Sequence, residues 1–267
     1  MKSPHDVRHY PGLGVLSVLF FIYLYAPIAI IIIYSFNANR ITGVWTEFSF
    51  RWYVSALNNP ALINALKTSL IVAAVATTVA TTVALSAALA IIRGRNLRFR
   101  RLSETIVNLP LLLPEIVLAV ATLILFSVIG LQNGYLKLMI AHSAFCTPFA
   151  FLPIRARLQG MSLDFEEAAA DLYATRWTTF RRVTLPLIFP GVFSGAMLAF
   201  LISMDDFITS SMLASGGTTT LPVYIFSLIR VGTSPELNAI ATLLICASVI
   251  IATLALVIAA RGHRDAE

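Results

Sequence analysis

Five stretches of this chain are long, apolar and almost free of charge: Leu13 to Phe36, Thr68 to Ile92, Thr105 to Leu131, Val183 to Met204 and Leu237 to Ala260. Each reaches the ~20 residues an α-helix needs to cross the hydrocarbon core of a bilayer. A shorter apolar stretch runs from Leu138 to Ile154. A lipid-exposed segment must satisfy its own backbone N–H and C=O groups, and these runs lack the two-residue alternation of a membrane barrel strand, so each reads as a helix. The expected fold is all-α integral membrane with six transmembrane helices. Composition agrees: 58% of residues are hydrophobic, 12% are charged and the mean hydropathy is +0.84, far from a soluble domain.

Basic residues set the expected orientation. Lys2 and Arg8 precede the first span, Arg93, Arg95, Arg98, Arg100 and Arg101 follow the second, and Arg155, Arg157, Arg176, Arg181 and Arg182 follow the fourth. With Arg261 and Arg264 at the end, most of the 19 basic residues fall on one side, which the positive-inside rule makes cytoplasmic, together with both termini. The net charge of +6 thus reflects topology, and no nucleic-acid partner is expected. The first span is too long for a signal peptide and lacks a small-residue cleavage site, so it should stay as an anchor. The loops 37–64 and 214–236 are too short to hold a second domain, which leaves one membrane domain over residues 1–267. Aromatic residues of the first loop (Trp45, Phe48, Phe50, Trp52, Tyr53) suit an interfacial belt in contact with membrane lipid.

Features of catalysis are missing. Cys146 and Cys246 lie in apolar spans without Cys-x-x-Cys or Cys/His ligand spacing, so no metal site is expected. His142 is the one histidine within the spans, and no nucleophile and base accompany it at motif spacing. No Gly-rich loop ending in Gly-Lys-Ser/Thr is present, so the chain should bind neither ATP nor another cofactor.

Small residues mark close helix contacts: Gly191 and Gly195 form a Gly-x-x-x-Gly pair, and Ala80, Ala84 and Ala88 a ridge at four-residue spacing. Prolines 110, 114, 148, 153, 186 and 190 concentrate in spans three to five, which should be kinked or interrupted. Irregular backbone at membrane depth is tolerated where it lines a cavity, so these spans are the expected path-lining set. Three carboxylates fall inside them: Glu115, Asp205 and Asp206. A charged carboxylate at mid-helix costs roughly 2.5–3.5 kcal/mol and normally faces a cavity or a partner. Neighbouring helical positions diverge by about 100°, so one aspartate can face a path while the other binds backbone amides; capping of a helix break near Thr209 is the competing role. Acidic groups without an evident basic partner suit a cationic solute. Phe207 and Tyr224 are candidates for cation–π contact with it or for packing.

A polar island of about residues 155–184 separates spans four and five. Asp164 and Glu167 have capping-box spacing, which predicts a short helix from Phe165 to Asp171. Thr175 suits the cap of a second helix, from Arg176 to about Arg182.

Residues 167–186 resemble the cytoplasmic coupling loop of ATPase-driven importer permeases, whose pattern is Glu-Ala-Ala, three residues, Gly, nine residues, Ile, one residue, Leu-Pro. Glu167, Ala168, Ala169, Leu185 and Pro186 match it, Val183 stands for Ile, and Tyr173 stands where the family has Gly. A bulky residue in a left-handed turn costs on the order of 1–2 kcal/mol, so either the turn differs here or neighbouring contacts compensate. The resemblance implies that the first helix of the loop docks on a separate ATPase, with Glu167 orienting it and the alanines permitting close approach.

A narrower resemblance covers nearly the whole chain. Leu24-Tyr-Ala-Pro27, Tyr34-Ser-Phe-Asn37, Ala141-His142 with Phe145-Cys146, Ser203-Met-Asp-Asp206, Ser210-Ser211, Leu221-Pro-Val-Tyr-Ile-Phe226 and Val231 to Thr242 look like permease subunits of spermidine/putrescine importers. That family implies a bacterial inner-membrane importer with a second related permease, two ATPase subunits carrying ATP and Mg, and an external solute-binding protein. A permease of the same architecture for another solute, such as an amino-acid derivative, phosphonate or iron chelate, and a secondary transporter are the alternatives.

Overall fold

The computed structural model describes residues 13–41, 43–94, 100–232 and 235–264, with side chains beyond residue 250 described only at Thr253. Lys2, Arg8, Arg95, Arg98, Thr233 and Ser234, and the side chains of Arg261 and Arg264, lie outside the described residues. In chain order the helices are α1 (Leu13–Tyr34), α2 (Arg51–Leu57), α3 (Pro60–Arg93), α4 (Arg100–Leu112), α5 (Glu115–Val128), α6 (Gly134–Gln159), α7 (Asp164–Asp171) and α8 (Arg176–Thr179), followed by a π-helical turn (Phe180–Thr184). Then come α9 (Leu185–Asp205), α10 (Ile208–Leu213), α11 (Leu221–Val231) and α12 (Pro235–Arg264). Among the described residues the one β-type contact outside helices is an antiparallel bridge between Asn37 and Phe48.

Four helical stretches are long and apolar enough to cross a membrane: Leu13–Tyr34, Pro60–Arg93, Gly134–Gln159 and Arg176–Asp205. α4 and α5 are apolar enough only when taken together, and they are bent by 105° at the break between them, the geometry of a broken span or a re-entrant loop. α12 covers the predicted run from Leu237. The helices reach further than the apolar runs because Asn64 and Lys67 interrupt the hydropathy of α3 and polar residues continue α6 without breaking either helix: α3 starts at Pro60 rather than Thr68, and α6 extends the short run at Leu138 to Gly134–Gln159. For the same reason the expected loops are partly helical, with α2 inside residues 37–64 and α11 inside residues 214–236.

The chain forms two compact units, residues up to Pro60 with those from Ser227 onward, and residues Ala61–Phe226. In the first, α1 and α2 each pack on α12, and α1 buries none of its residues. Asn37 organises the connection after α1. Its Nδ2 donates to the Val44 carbonyl at 2.7 Å, its Oδ1 accepts from the Thr46 amide at 3.1 Å, and its carbonyl accepts from Trp52 Nε1 at 2.8 Å. Phe36 stacks on Phe48 at 5.2 Å and meets Phe50 at 5.5 Å and Tyr53 at 5.1 Å.

The second unit is built on small-residue packing. Thr68, Val72, Ala76, Ala80, Ala84 and Ala88 are all buried and recur every four residues along one stripe of α3. Ala80, Ala84 and Ala88 share a core with Phe151, Ile154 and Leu158 of α6 and with Ile188 and Ala199 of α9. The Gly-x-x-x-Gly pair serves this core: a Cβ on Gly191 would meet Arg157 Cβ at 2.6 Å, and one on Gly195 would meet the Ala150 carbonyl oxygen at 2.5 Å. Here α9 lies directly against the backbone of α6.

The prolines act unequally. Pro148 and Pro153 sit within a continuous α6, and Pro186 and Pro190 within α9. Ahead of Pro186, which cannot donate to the preceding turn, the backbone widens into the π turn. Pro114 ends a helix outright.

Gly195→Val should cost about 1–3 kcal/mol through overpacking against α6, lowering the thermal unfolding midpoint of the purified protein. Gly14→Ala, where a Cβ meets nothing within 4 Å, should leave it nearly unchanged. Equal midpoints for the two variants would contradict the close α6–α9 packing.

Candidate functional site

Two helix breaks shape an acidic cavity. At the first, proline excludes the preceding residue from helical backbone. α4 therefore stops at Leu112 and α5 restarts at Glu115, with the Pro114 carbonyl accepting the Val117 amide at 2.9 Å. At the second, α9 stops at Asp205 and the backbone at Asp206 becomes extended, φ −64° and ψ 117°. Asp206 then supplies what the interrupted helix lacks: its Oδ1 accepts from the Thr209 amide at 3.2 Å and its Oδ2 from the Ser210 amide at 2.7 Å.

Between the breaks lies a cavity of 320 Å³ whose lining includes Pro110, Glu115, Phe145, Phe149, Asp205 and Asp206. Both aspartates lie close enough to act electrostatically on the Glu115 carboxyl group. The three carboxylates picked from sequence are thus brought together, in different states. Glu115 and Asp205 are exposed, whereas Asp206 is buried and held by the α10 amides, the capping role weighed against a path-facing one. Phe207 and Tyr224 are not among the cavity-lining residues. The Phe207 ring packs on Phe226 at 4.5 Å, and Tyr224 lies partly buried in α11. The aromatic residues at the cavity are Phe145 and Phe149, one helical turn apart on α6. Sequence reading passed over them; their four-residue spacing beside His142 was the available signal.

His142 is fully buried in α6. Its Nδ1 lies 2.8 Å from Ser203 Oγ of α9. Its Nε2 lies 3.2 Å from Ser210 Oγ of α10 and 3.3 Å from Asp206 Oδ2.

The polar island folds into α7, α8 and the π turn. The Asp164–Glu167 capping pair does not start α7. The helix begins at Asp164, one residue earlier than expected, with Leu163 as an N-cap that makes no side-chain bond, and Asp164 joins Glu166 and Glu167 in its first turn; Ser162 Oγ accepts the Asp164 amide at 3.2 Å. Thr175 caps α8 as expected, its Oγ1 accepting the Thr178 amide at 3.3 Å. Tyr173 takes the left-handed conformation, φ +58°, so the turn is built as a Gly would build it. The Tyr173 amide donates to the Ala170 carbonyl at 2.9 Å and the Ala174 amide to the Ala169 carbonyl at 3.1 Å, the bond pair of a Schellman motif. No contact of the ring compensates, because Tyr173 is 96% exposed.

The residue that anchors α7 is Glu166. It pairs with Arg93 at the end of α3, Nε to Oε2 3.2 Å, and its Oε1 accepts from Thr184 Oγ1 at 2.9 Å. Arg93 also donates from Nη2 to the Met161 carbonyl at 3.0 Å. Glu167 and Ala168 are exposed, Ala169 is partly buried, and Leu185 and Pro186 open α9. The motif spacing pointed to Glu167; the glutamate one position earlier faces α3 and the π turn.

Glu166→Ala should raise amide exchange across residues 164–171 by about tenfold, as expected for the loss of hydrogen bonds to a charged group, while Glu167→Ala leaves it within twofold. Equal effects would remove Glu166 as the anchor. Tyr173→Gly should stabilise the turn by about 1 kcal/mol, read as slower exchange at Tyr173 and Ala174.

Residues 80–264 match the family of binding-protein-dependent transport system inner membrane components. The chain is 36% identical over 257 residues to the putrescine transport system permease protein PotI of Escherichia coli strain K12, covering 94% of this chain and 92% of the relative. It is 38% identical over 241 residues to the spermidine/putrescine transport system permease protein PotC of Haemophilus influenzae, covering 90% and 93%. Its fold matches a chain of a bacterial ABC transporter involved in the import of the acidic polysaccharide alginate, with a TM-score of 0.73 at 17% identity over 96% of this chain and 98% of that one. The chain belongs to the binding-protein-dependent transport system inner membrane components, a family of multi-pass membrane permeases.

Proposed function

We propose that this chain is a permease subunit of an ATP-driven polyamine importer, and that the cavity between the α4–α5 and α9–α10 breaks lies on the path of the solute. The observation that carries the proposal is the convergence of Glu115, Asp205 and Asp206 on one cavity at two interruptions of membrane helices. Carboxylates are costly in a bilayer and are kept where they meet a cation or a hydrogen-bond donor. Asp206 has its donors, Glu115 lies within hydrogen-bond reach of Asp206, and both Glu115 and Asp205 are exposed to the cargo. Phe145 and Phe149 add ring faces suited to a protonated amine. Contacts of this kind are weak and exchangeable, as passage requires. The polyamine permeases among the relatives support this cargo, and selection between putrescine and spermidine falls to the external binding protein.

In this reading the chain crosses the membrane six times, with both termini in the cytoplasm and α7–α8 as the coupling loop between the fourth and fifth crossings. A second related permease completes the path. Two ATPase subunits bind ATP and Mg and carry out hydrolysis, and this chain performs none. A periplasmic binding protein delivers the solute, in keeping with the alginate importer, solved in complex with an alginate pentasaccharide-bound periplasmic protein.

The mechanical link is short. Glu166 ties α7 to α3 and to the π turn, so a push on α7 moves both. From the π turn, α9 runs 21 residues to Asp205, about 30 Å of helix. Displacement at the cytoplasmic end is thereby delivered to the break that holds the cavity's aspartates.

Reconstituted with its partner subunits, the chain should accumulate labelled putrescine or spermidine only when ATP is supplied. Asp205→Asn and Glu115→Gln should each raise KM for uptake by about tenfold, a loss near 1.4 kcal/mol of charge attraction, with the complex assembled. Hydrolysis without transport of either amine would discard the cargo, and accumulation without ATP would discard the coupling.

A further inference from the structure

Asp206 is buried where an unsatisfied polar group would be costly, and its two backbone donors account for only part of its surroundings. Its side-chain partners are the Glu115 carboxyl group and His142. With hydrogen on Nε2, the imidazole donates toward Asp206 Oδ2 at 3.3 Å and Ser210 Oγ at 3.2 Å, while Nδ1 accepts from the Ser203 hydroxyl at 2.8 Å. Both ring nitrogens are engaged, and the ring face meets Phe145 at 5.0 Å. One side chain of α6 thus touches the end of α9, the break itself and the start of α10.

We propose that His142 is a positioning residue for transport: by holding Asp206 on the α10 amides it fixes the helix break and so directs Asp205 into the cavity. This rests on the reading of that cavity as the solute path. The two aspartates are adjacent, so the direction of one sets the direction of the other. With Asp206 turned inward to His142 and the amides of Thr209 and Ser210, Asp205 is presented to the cavity. Without the imidazole, Asp206 loses the donor that comes from α6, the carboxylate rotates more freely, and α10 keeps its apolar packing on α6 through Leu213 but loses the polar tie. Asp205 then no longer has one fixed direction. His142 acts on the solute through its neighbours and does not touch it.

Two polar substitutions separate this role from general packing. Gln places its amide nitrogen near the Nε2 position and keeps a donor for Asp206, whereas Asn reaches only to the Nδ1 position and keeps Ser203 alone. In the assembled complex, His142→Gln should retain amide protection at Thr209 and Ser210 within about threefold, and His142→Asn should lose about 10- to 100-fold, the scale of a hydrogen bond to a charged group. KM for putrescine uptake should follow the same order. In an Asp206→Asn background the Gln and Asn variants should become alike, because the group that distinguishes them is gone. Equal protection in the two variants, or better protection with Asn, would overturn the proposal. The exchange measurement requires no cargo, so a complex that transports neither polyamine would still decide the role of His142 while separately refuting the cargo.

Discussion

A helix can stop inside a bilayer only if something answers its free amides, and at the end of α9 that something is the Asp206 carboxylate. Its two oxygens take the Thr209 and Ser210 amides, which lets the backbone leave helical geometry at the end of a long apolar helix. The interruption then faces the other break, at Pro114, where a missing N–H and the steric restriction before proline end α4 by a different route. One break is made by sterics and the other by a hydrogen-bonded charge. The acidic cavity is the space they leave between them.

The opposite end of α9 follows the same logic with cheaper materials. There a partly buried ion pair, Arg93 with Glu166, fixes α7 against α3. Isolated surface pairs contribute little to stability; this one is supported by the Thr184 hydroxyl and the Met161 carbonyl, which fix direction as well as proximity. The turn after α7 is held by two Schellman bonds despite an unfavourable residue. Tyr173 keeps the left-handed backbone with its ring in the open, so the turn's own hydrogen bonds hold the geometry and its side chain is free for another surface.

Much of this was legible in the sequence because the bilayer is a demanding solvent. Uncharged runs of sufficient length admit little besides helices, and the small residues at 80, 84, 88, 191 and 195 marked where helices touch. Helix ends were misplaced where a helix runs past a single polar or charged residue at the edge of its apolar stretch, as at Asn64 and Lys67 of α3, or through a polar segment, as at residues 155–159 of α6. The carboxylates were found from their cost, yet the division of labour between Asp205 and Asp206 was not, because it depends on the donors that α10 and α6 bring from elsewhere. Similarly, the motif spacing selected Glu167, whereas the side chain that meets Arg93 is Glu166; which of two adjacent glutamates points inward depends on the packing of three elements. Phe207 and Tyr224 were candidates for cation–π contact or packing; Phe207 packs on Phe226, and the rings at the cavity are those of Phe145 and Phe149 on α6.

If the cavity is the solute path, Asp205 meets it as an exposed carboxylate, whereas Asp206, also in the lining, is taken up by the α10 amides and His142. The most direct measurement is the rate at which a small cationic thiol reagent modifies the Asp205→Cys variant in the assembled transporter, with and without putrescine. Rapid modification that putrescine slows severalfold is the predicted result. A thiol at this position that reacts slowly, or at a rate indifferent to the amine, would place the solute path elsewhere.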